Sequence, residues 1–394
     1  MRLNKTHSFT LYRMRHPKLS DIIGIINKKY PFSLAEEWDN VGLQLGDPGQ
    51  EIRKVMVALD PLPEVIDEAI SQNCQLLITH HPLIFSPLRQ ITASDSTGRS
   101  ILKAAGNNLA LLAMHTNYDI ANDGLNDLLA ARLGLQATRP LKPSSRNELA
   151  KLVTFIPADH FEQVRSALLP HTAPIGRYRN CSFSTRGEGT FLPLEGARPA
   201  TGTVGIHEQV SEQRLEILIQ RQNLTKAIKT LLTVHPYEEP AFDCYPLLNE
   251  TTDTGLGRIG ELHPTTTLKE LAVTAGHSLG CKGIRMVGNP AVTIKTIALC
   301  SGSGISLLHD AVRAGADLLL TGDIKYHDAR EAEALGIALL DAGHFPTEQL
   351  MVFAVRDYLA ATSAACHLSL DLVAAGCEHD PFTPVTLCNT DQGA

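Results

Sequence analysis

Two adjacent histidines, His80 and His81, follow the apolar run Leu76, Leu77, Ile78, Thr79 and precede Pro82. Elsewhere, just past two further apolar strands, His115 stands four residues before Asp119 and His344 four residues before Glu348. Imidazole nitrogen combined with carboxylate oxygen suits zinc, iron or manganese, and a carboxylate can bridge two such ions roughly 3.5 to 4 Å apart. His80, His81, Asp119, His344 and Glu348 are therefore the expected ligands of two divalent metal ions, with positions left open for water or substrate. Water held between two divalent ions ionises near neutral pH, so hydrolysis is the natural reaction class. His115 lies on the same rim without being needed as a ligand; it could move a proton in the reaction, or orient Asp119. Asp323 and His327 are similarly placed, and either could be structural. Gly302, Ser303 and Gly304 open a helix after a strand, where backbone N–H groups could hold a phosphate or a tight turn could need the glycines.

Positioning such groups requires strand ends. Adjacent residues on a continuing strand point to opposite faces, but Pro82 ends the regular backbone, so both rings can reach one rim. From Lys54 the pattern alternates: strand Val55 to Leu59, helix Pro63 to Gln72, strand Leu76 to Thr79, helix Ser100 to Asn107, strand Ala110 to Met114. Residues 294–348 repeat it, with strands at Thr296 to Leu299, Asp317 to Leu320 and Ile337 to Leu340 and helices at Ser306 to Ala314 and Asp328 to Ala334. Alternation of this kind indicates parallel strands joined by helical crossovers, with active sites at their carboxyl ends. The match is closest between Leu76–Thr79 and Leu318–Thr321 and between His115–Asp119 and His344–Glu348, each at the end of the third strand of its set. The expected fold is α/β: two related three-layer halves forming one metal-binding cleft. Trp38, the only tryptophan, begins a turn through Asp39, Asn40, Val41 and Gly42 and reads as a packing anchor.

Polar stretches at Pro140 to Asn147 and Asn249 to Thr254 bracket an inserted unit. Within it, strands at Leu149 to Ile156, Cys181 to Thr185, Leu215 to Gln220 and Ala241 to Tyr245 and helices at His160 to Leu169 and Leu224 to Val234 follow the β α β β α β order of the ferredoxin-like plait, with a Gly- and Pro-rich excursion through residue 205. The expected domains are an N-terminal arm over 1–17, a first half over 18–140, the insert over 146–250 and a second half over 255–394.

At 394 residues and 43% hydrophobic content, the chain can bury two or three cores. Its net charge of −7 and lack of a long basic stretch argue against direct DNA binding. Eight cysteines without a C-x-x-C pair fit a reducing cytoplasm better than a disulfide framework. No apolar run reaches membrane-span length, so no membrane partner is expected. The first twenty residues hold Arg2, Lys5, Arg13, Arg15 and Lys18 without an acid, which fits a flexible arm better than a transit peptide.

Five motifs together, Trp38 to Gly42 (W-D-N-V-G), Thr79 to Pro82 (T-H-H-P), His115 to Asp119 (H-T-N-Y-D), Thr321 to His327 (T-G-D-I-K-Y-H) and Ala342 to Glu348 (A-G-H-F-P-T-E), resemble the GTP cyclohydrolase 1 type 2 homologs, or Nif-three-like dinuclear metal proteins. The resemblance covers nearly all the chain beyond the arm. It implies a dinuclear metal site at His80, His81, Asp119, His344 and Glu348, a ring-shaped homohexamer, and an insert of the CutA-like or PII-like kind, with His235 to Pro240 (H-P-Y-E-E-P) as its most recognisable stretch. GTP ring opening is attributed to some members. The resulting expectation is a metal-dependent hydrolase acting on a nucleotide or related small molecule; the alternatives are a non-catalytic metal carrier or regulatory scaffold using the insert as sensor or docking face, and an adaptor working through protein contacts.

Overall fold

The structure, a computed structural model, describes residues 15–144, 149–248 and 254–385. Contacts divide the chain into two compact units, Met1–Lys142 with Asp253–Ala394, and Pro143–Thr252. The first segment of the larger unit runs α1 (Leu19–Lys29), β1 (Gly42–Leu45), β2 (Lys54–Ala58), α2 (Pro63–Ser71), β3 (Leu76–Thr79), α3 (Ser96–Gly106), β4 (Ala110–Ala113), α4 (Thr116–Ile120), α5 (Leu125–Arg132) and β5 (Gln136–Pro143). The smaller unit follows as β6 (Leu149–Pro157), α6 (Phe161–Leu168), β7 (Ser182–Phe191), β8 (Glu208–Gln220), α7 (Leu224–Val234) and β9 (Phe242–Pro246). The chain then returns with β10 (Gly255–Thr267), α8 (Leu268–Leu279), β11 (Arg285–Val287), β12 (Thr293–Leu299), α9 (Leu308–Arg313), β13 (Leu318–Thr321), α10 (Tyr326–Leu335), β14 (Ala338–Asp341), α11 (His344–Glu348), α12 (Leu350–Ala365) and β15 (Asp371–Ala374).

The larger unit holds two sheets, ordered β1-β4-β3-β2-β15 and β11-β14-β13-β12-β10-β5. In each, three consecutive strands are parallel and an antiparallel strand flanks the third. The apolar runs at β3 and β13 are continuous because both faces are covered. Leu76 and Ile78 enter one core cluster and Leu77 the opposite one, while Leu318 and Leu320 lie on one side of the second sheet and Leu319 on the other. Beyond the third parallel strand the two segments exchange elements. Leu129 and Ala130 of α5 pack into the second sheet's core and β5 joins that sheet, whereas Met351, Val352, Val355 and Leu359 of α12 pack into the first sheet's core and β15 pairs with β2. Arg258 is buried on this exchange and spends all five N–H donors, on both carboxylate oxygens of Asp127 and on the carbonyls of Ala121, Gly255 and Gly257.

Local expectations change in several places, and the helix expected over Ser100 to Asn107 begins at Ser96. The helix expected over Ser306 to Ala314 is a 3-10 turn at Ile305–Leu307 followed by the short α9. In the smaller unit β7 runs to Phe191, because residues 182–191 pair without interruption with Ile217 back to Glu208. The Gly- and Pro-rich excursion is therefore confined to residues 192–207. Trp38 is not a packing anchor, since its side chain is 59% exposed. Of the expected N-terminal arm, residues 1–14 lie outside the described residues, while Arg15 bridges to Leu368 and Pro17 accepts from Ile52 N. Pro140 to Pro143 of the expected linker belong to β5, and its residues 145–147, like 249–253 of the second linker, lie outside the described residues.

Candidate metal centre

The five expected ligands come together with His115 at the carboxyl ends of the parallel strands. His80 and His81 leave β3 with both backbone N–H groups donating to the Leu59 carbonyl, at 3.1 and 3.0 Å. That double bond turns the chain out of strand geometry and leaves the two ring centroids 5.1 Å apart. His115 caps α4 after β4, with its ring 5.1 Å from that of His80 and 5.5 Å from that of His81. His344 and Glu348 are the first and last residues of α11, one helical turn apart.

Each of the four imidazoles has its Nδ1 committed to an acceptor. His80 Nδ1 donates to the Met114 carbonyl at 2.7 Å, His81 Nδ1 to Asp60 Oδ1 at 2.7 Å, His115 Nδ1 to Asp39 Oδ1 at 2.9 Å and His344 Nδ1 to Asp323 Oδ2 at 2.7 Å. A proton fixed on Nδ1 leaves the Nε2 lone pair of each neutral ring free, which is how metal-binding histidines are oriented. His81 Nε2 and His344 Nε2 are 3.4 Å apart. Glu348 Oε2 lies 3.1 and 3.0 Å from them, and His80 Nε2 lies 3.6 Å from Glu348 Oε1 and 3.7 Å from Asp119 Oδ1. His80 Nε2 and Glu348 Oε2 are buried without an aligned hydrogen-bond partner. Buried polar atoms are seldom left so, and a cation would satisfy both. Two overlapping groups have ligand atoms close enough to hold a metal ion: His80, His81 and His115, and His81, His344 and Glu348.

Charge reinforces this. Burial would raise the Glu348 carboxyl, but the His80 charge and the close approach of the His344, His80 and His81 nitrogens hold it well below its ordinary range. Burial opposes protonation of His81, yet Asp60 and Glu348 outweigh it and lift the ring to about 10. Glu348 and, after a smaller burial penalty, Asp323 lift His344 to about 9. Asp119 is pushed up by burial among these groups.

The surrounding loops are shaped by the same carboxylate. A Cβ on Gly302, which has φ +56°, would stand 2.0 Å from Glu348 Oε1. Gly302 N–H donates to Thr347 Oγ1 and Gly304 N–H to Thr321 Oγ1. These donors are spent inside the protein, so the Gly302 to Gly304 segment is a tight turn and not a phosphate cradle. Asp323 braces His344, while His327 is exposed on α10. On the side of His81 and His344 a cleft of about 820 Å³ opens, lined also by Asp60, Lys282, Arg285 and Phe345.

Sequence reasoning missed Asp39 and Asp60. Asp60 lies two residues beyond Ala58, and His81 two beyond its parallel partner Thr79, so strand register was the available signal. Asp39 was reachable in the same way, since continuing the antiparallel register from Gly42 and Ala113 brings it beside Thr116, whose N–H it accepts at 3.0 Å.

A family profile described as Duf34/NIF3 (NGG1p interacting factor 3) matches residues 17–381. A Bacillus subtilis protein named GTP cyclohydrolase 1 type 2 homolog is 39% identical over 92% of this chain and 97% of its own length. A Staphylococcus epidermidis protein of the same name is 35% identical over 93% and 99%. Among solved structures, a Bacillus cereus protein related to NIF3 matches with TM-score 0.78 and 40% identity, covering 94% of this chain and all of that one. A Staphylococcus aureus protein matches with TM-score 0.78 and 31% identity at the same coverage. With motifs, fold and near full-length similarity in agreement, this chain belongs to the Duf34/NIF3 family.

Proposed function

We propose that His80, His81, Asp119, His344 and Glu348 hold two divalent metal ions, zinc, iron or manganese, and that the protein is a metal-dependent hydrolase acting on a nucleotide or related small molecule. The observation that carries this reading is that His81 and His344 Nε2, their Nδ1 atoms fixed by Asp60 and Asp323, stand 3.1 and 3.0 Å from a buried Glu348 oxygen, with the similarly fixed His80 and His115 rings beside His81. A bound pair of ions would supply Lewis acidity and a water ionised near neutral pH. The chain's own contribution is proton handling and orientation. Asp39, held low by the His115 and Thr116 hydrogen bonds against the opposing effect of burial, keeps the His115 proton on Nδ1. His115 Nε2 is then free to take up and return a proton. Lys282 lines the cleft and could meet an anionic part of a substrate there, while Arg285 is held by Asp341 and the Ile324 carbonyl. The relatives' name supports a nucleotide as substrate.

The two sheets are read as copies of one ancestral half forming one cleft, which their matching strand order supports. The smaller unit is read as CutA-like or PII-like, supported by its β α β β α β order and the sheet order β7-β8-β6-β9. A homohexamer is retained as the assembly, to be checked by sedimentation equilibrium. Among the described residues no helix is long and apolar enough to cross a membrane.

The test is turnover of GTP and a panel of phosphoesters by protein reconstituted separately with zinc, iron and manganese. At least one substrate should be consumed, His344→Ala should abolish the reaction together with metal uptake, and His115→Asn should lower kcat roughly a hundredfold or more while metal content holds. Inactivity of every metal-loaded form across the panel would overturn the hydrolase and leave a metal carrier.

A further inference from the structure

Trp38 and Phe85 are 59% and 51% exposed, yet the backbone beneath them is tightly held. Asp39 fixes one side of the Trp38 turn through His115 and Thr116. On the other side Asn40 Nδ2 and Gln44 Nε2 both donate to the Ile84 carbonyl, and Ile84 N–H donates back to Gln44 Oε1 at 3.0 Å. The turn before β1 and the loop after His81 are thereby locked together just before Phe85. The two rings stand 5.9 Å apart at 48°, and the indole is 6.1 Å from the His115 ring at 77°. Large aromatic rings left in water on a braced backbone, beside a cluster of imidazoles, form a preorganised surface for another flat ring.

Resting on the nucleotide-directed reading above, we infer that Trp38 is the stacking face of a shelf for the planar heterocycle of the substrate, a nucleobase, with Phe85, tilted 48° from it, closing one edge, and that the pair so determines specificity beside the proposed metal ligands. Base-on-aromatic stacking tolerates different bases because every base has a π face. The shelf therefore selects for a heterocycle, and the hydrogen-bonding edge of the base is read elsewhere. Asp39 ties the shelf to the proton-handling group, since one carboxylate holds both the turn carrying Trp38 and the His115 ring.

Trp38 is the chain's only tryptophan, so the protein's indole fluorescence reports this position alone. Full-length, metal-loaded protein is titrated with GTP, guanosine, ribose 5-phosphate and tripolyphosphate, with inner-filter correction, and GTP binding is followed in parallel by equilibrium dialysis. GTP and guanosine should quench saturably and the two compounds lacking a base should not. Phe85→Ala should weaken GTP binding roughly tenfold, and Trp38→Ala as much or more by dialysis, with metal content unchanged. GTP binding or turnover without quenching would sink the shelf and leave the hydrolase standing. Saturable quenching by guanosine with no turnover in any metal form would support the shelf and remove the hydrolase. Equal quenching by tripolyphosphate, no binding of any base, or an indole already shielded from acrylamide in a concentration-dependent way, as a second copy covering the shelf would cause, each overturns the inference.

Discussion

The Nε2 atoms of His81 and His344 stand 3.4 Å apart although 263 residues separate them in sequence. Asp60 and Asp323 hold the opposite nitrogens at 2.7 Å, so in the neutral rings two lone pairs face each other. Such a pair is stable only with a proton or a cation between the nitrogens. The same geometry favours a proton between the rings, and a bound cation would have to displace it.

The carboxylates around them push His81 up to about 10 and His344 up to about 9, above the ordinary 6.5. Raised folded-state values mean that protonation stabilises the fold. That contribution is complete below about pH 6.5 and is lost as pH rises through 9 to 10. Zinc needs both lone pairs, so binding at pH 8 should release at least one proton. Calorimetry in buffers of different ionisation enthalpy reads this number directly, and a value near zero would contradict the geometry. Acidification should correspondingly strip the metal.

Asp60 and Asp323 are positioning residues, each holding the Nδ1 of a proposed ligand, His81 and His344. Replacing either with asparagine keeps the shape but weakens the acceptor that fixes the imidazole. Metal affinity should fall roughly 10- to 100-fold, measured by competition with a chromophoric chelator, with little change in the far-ultraviolet circular dichroism. Affinity within twofold of wild type would show that the rings hold their orientation without these carboxylates.

Gly302→Ala introduces two separate problems. The residue has φ +56°, where an L side chain costs about 1–2 kcal/mol, and its Cβ would meet Glu348 Oε1 at 2.0 Å. Gly315 has φ +76° with nothing within 4 Å of where a Cβ would stand, so Gly315→Ala isolates the backbone cost. Both variants should lose a few degrees of Tm, but only Gly302→Ala should lose metal stoichiometry by elemental analysis.

The site was legible where type and spacing carried it. The strands Leu76–Thr79 and Leu318–Thr321 are continuous apolar runs because they are covered on both faces, and His80 and His81 after the first, like His344 after Ala338–Asp341, were visible as departures from that pattern. Asp39 and Asp60 were not legible, because an aspartate beside a strand is ordinary until the neighbouring strand and its register are known. The same holds for Trp38, where exposure is a property of the fold and not of the residue. The exchange of α5 with β5 and of α12 with β15 left no mark either, since the burial stripe of an amphipathic helix is the same whichever sheet it covers.

Arg258 shows how that exchange is fastened. Its guanidinium is 2% exposed and makes five hydrogen bonds, two of them to Asp127 on α5 and one to the Ala121 carbonyl, all in the first segment, while Arg258 itself lies on β10 of the second. Lysine has three donors that cannot match this fork, so Arg258→Lys should already be strongly destabilising. Arg258→Met removes the cation and leaves Asp127 and three carbonyls without their donor, which should cost about 3–5 kcal/mol in denaturant unfolding. Much of that loss comes from the stranded carboxylate and not from the pair's own net worth. The double variant Asp127→Leu with Arg258→Met should therefore recover part of it. Equal destabilisation in the single and double variants would mean that Arg258 acts through the Ala121, Gly255 and Gly257 carbonyls alone.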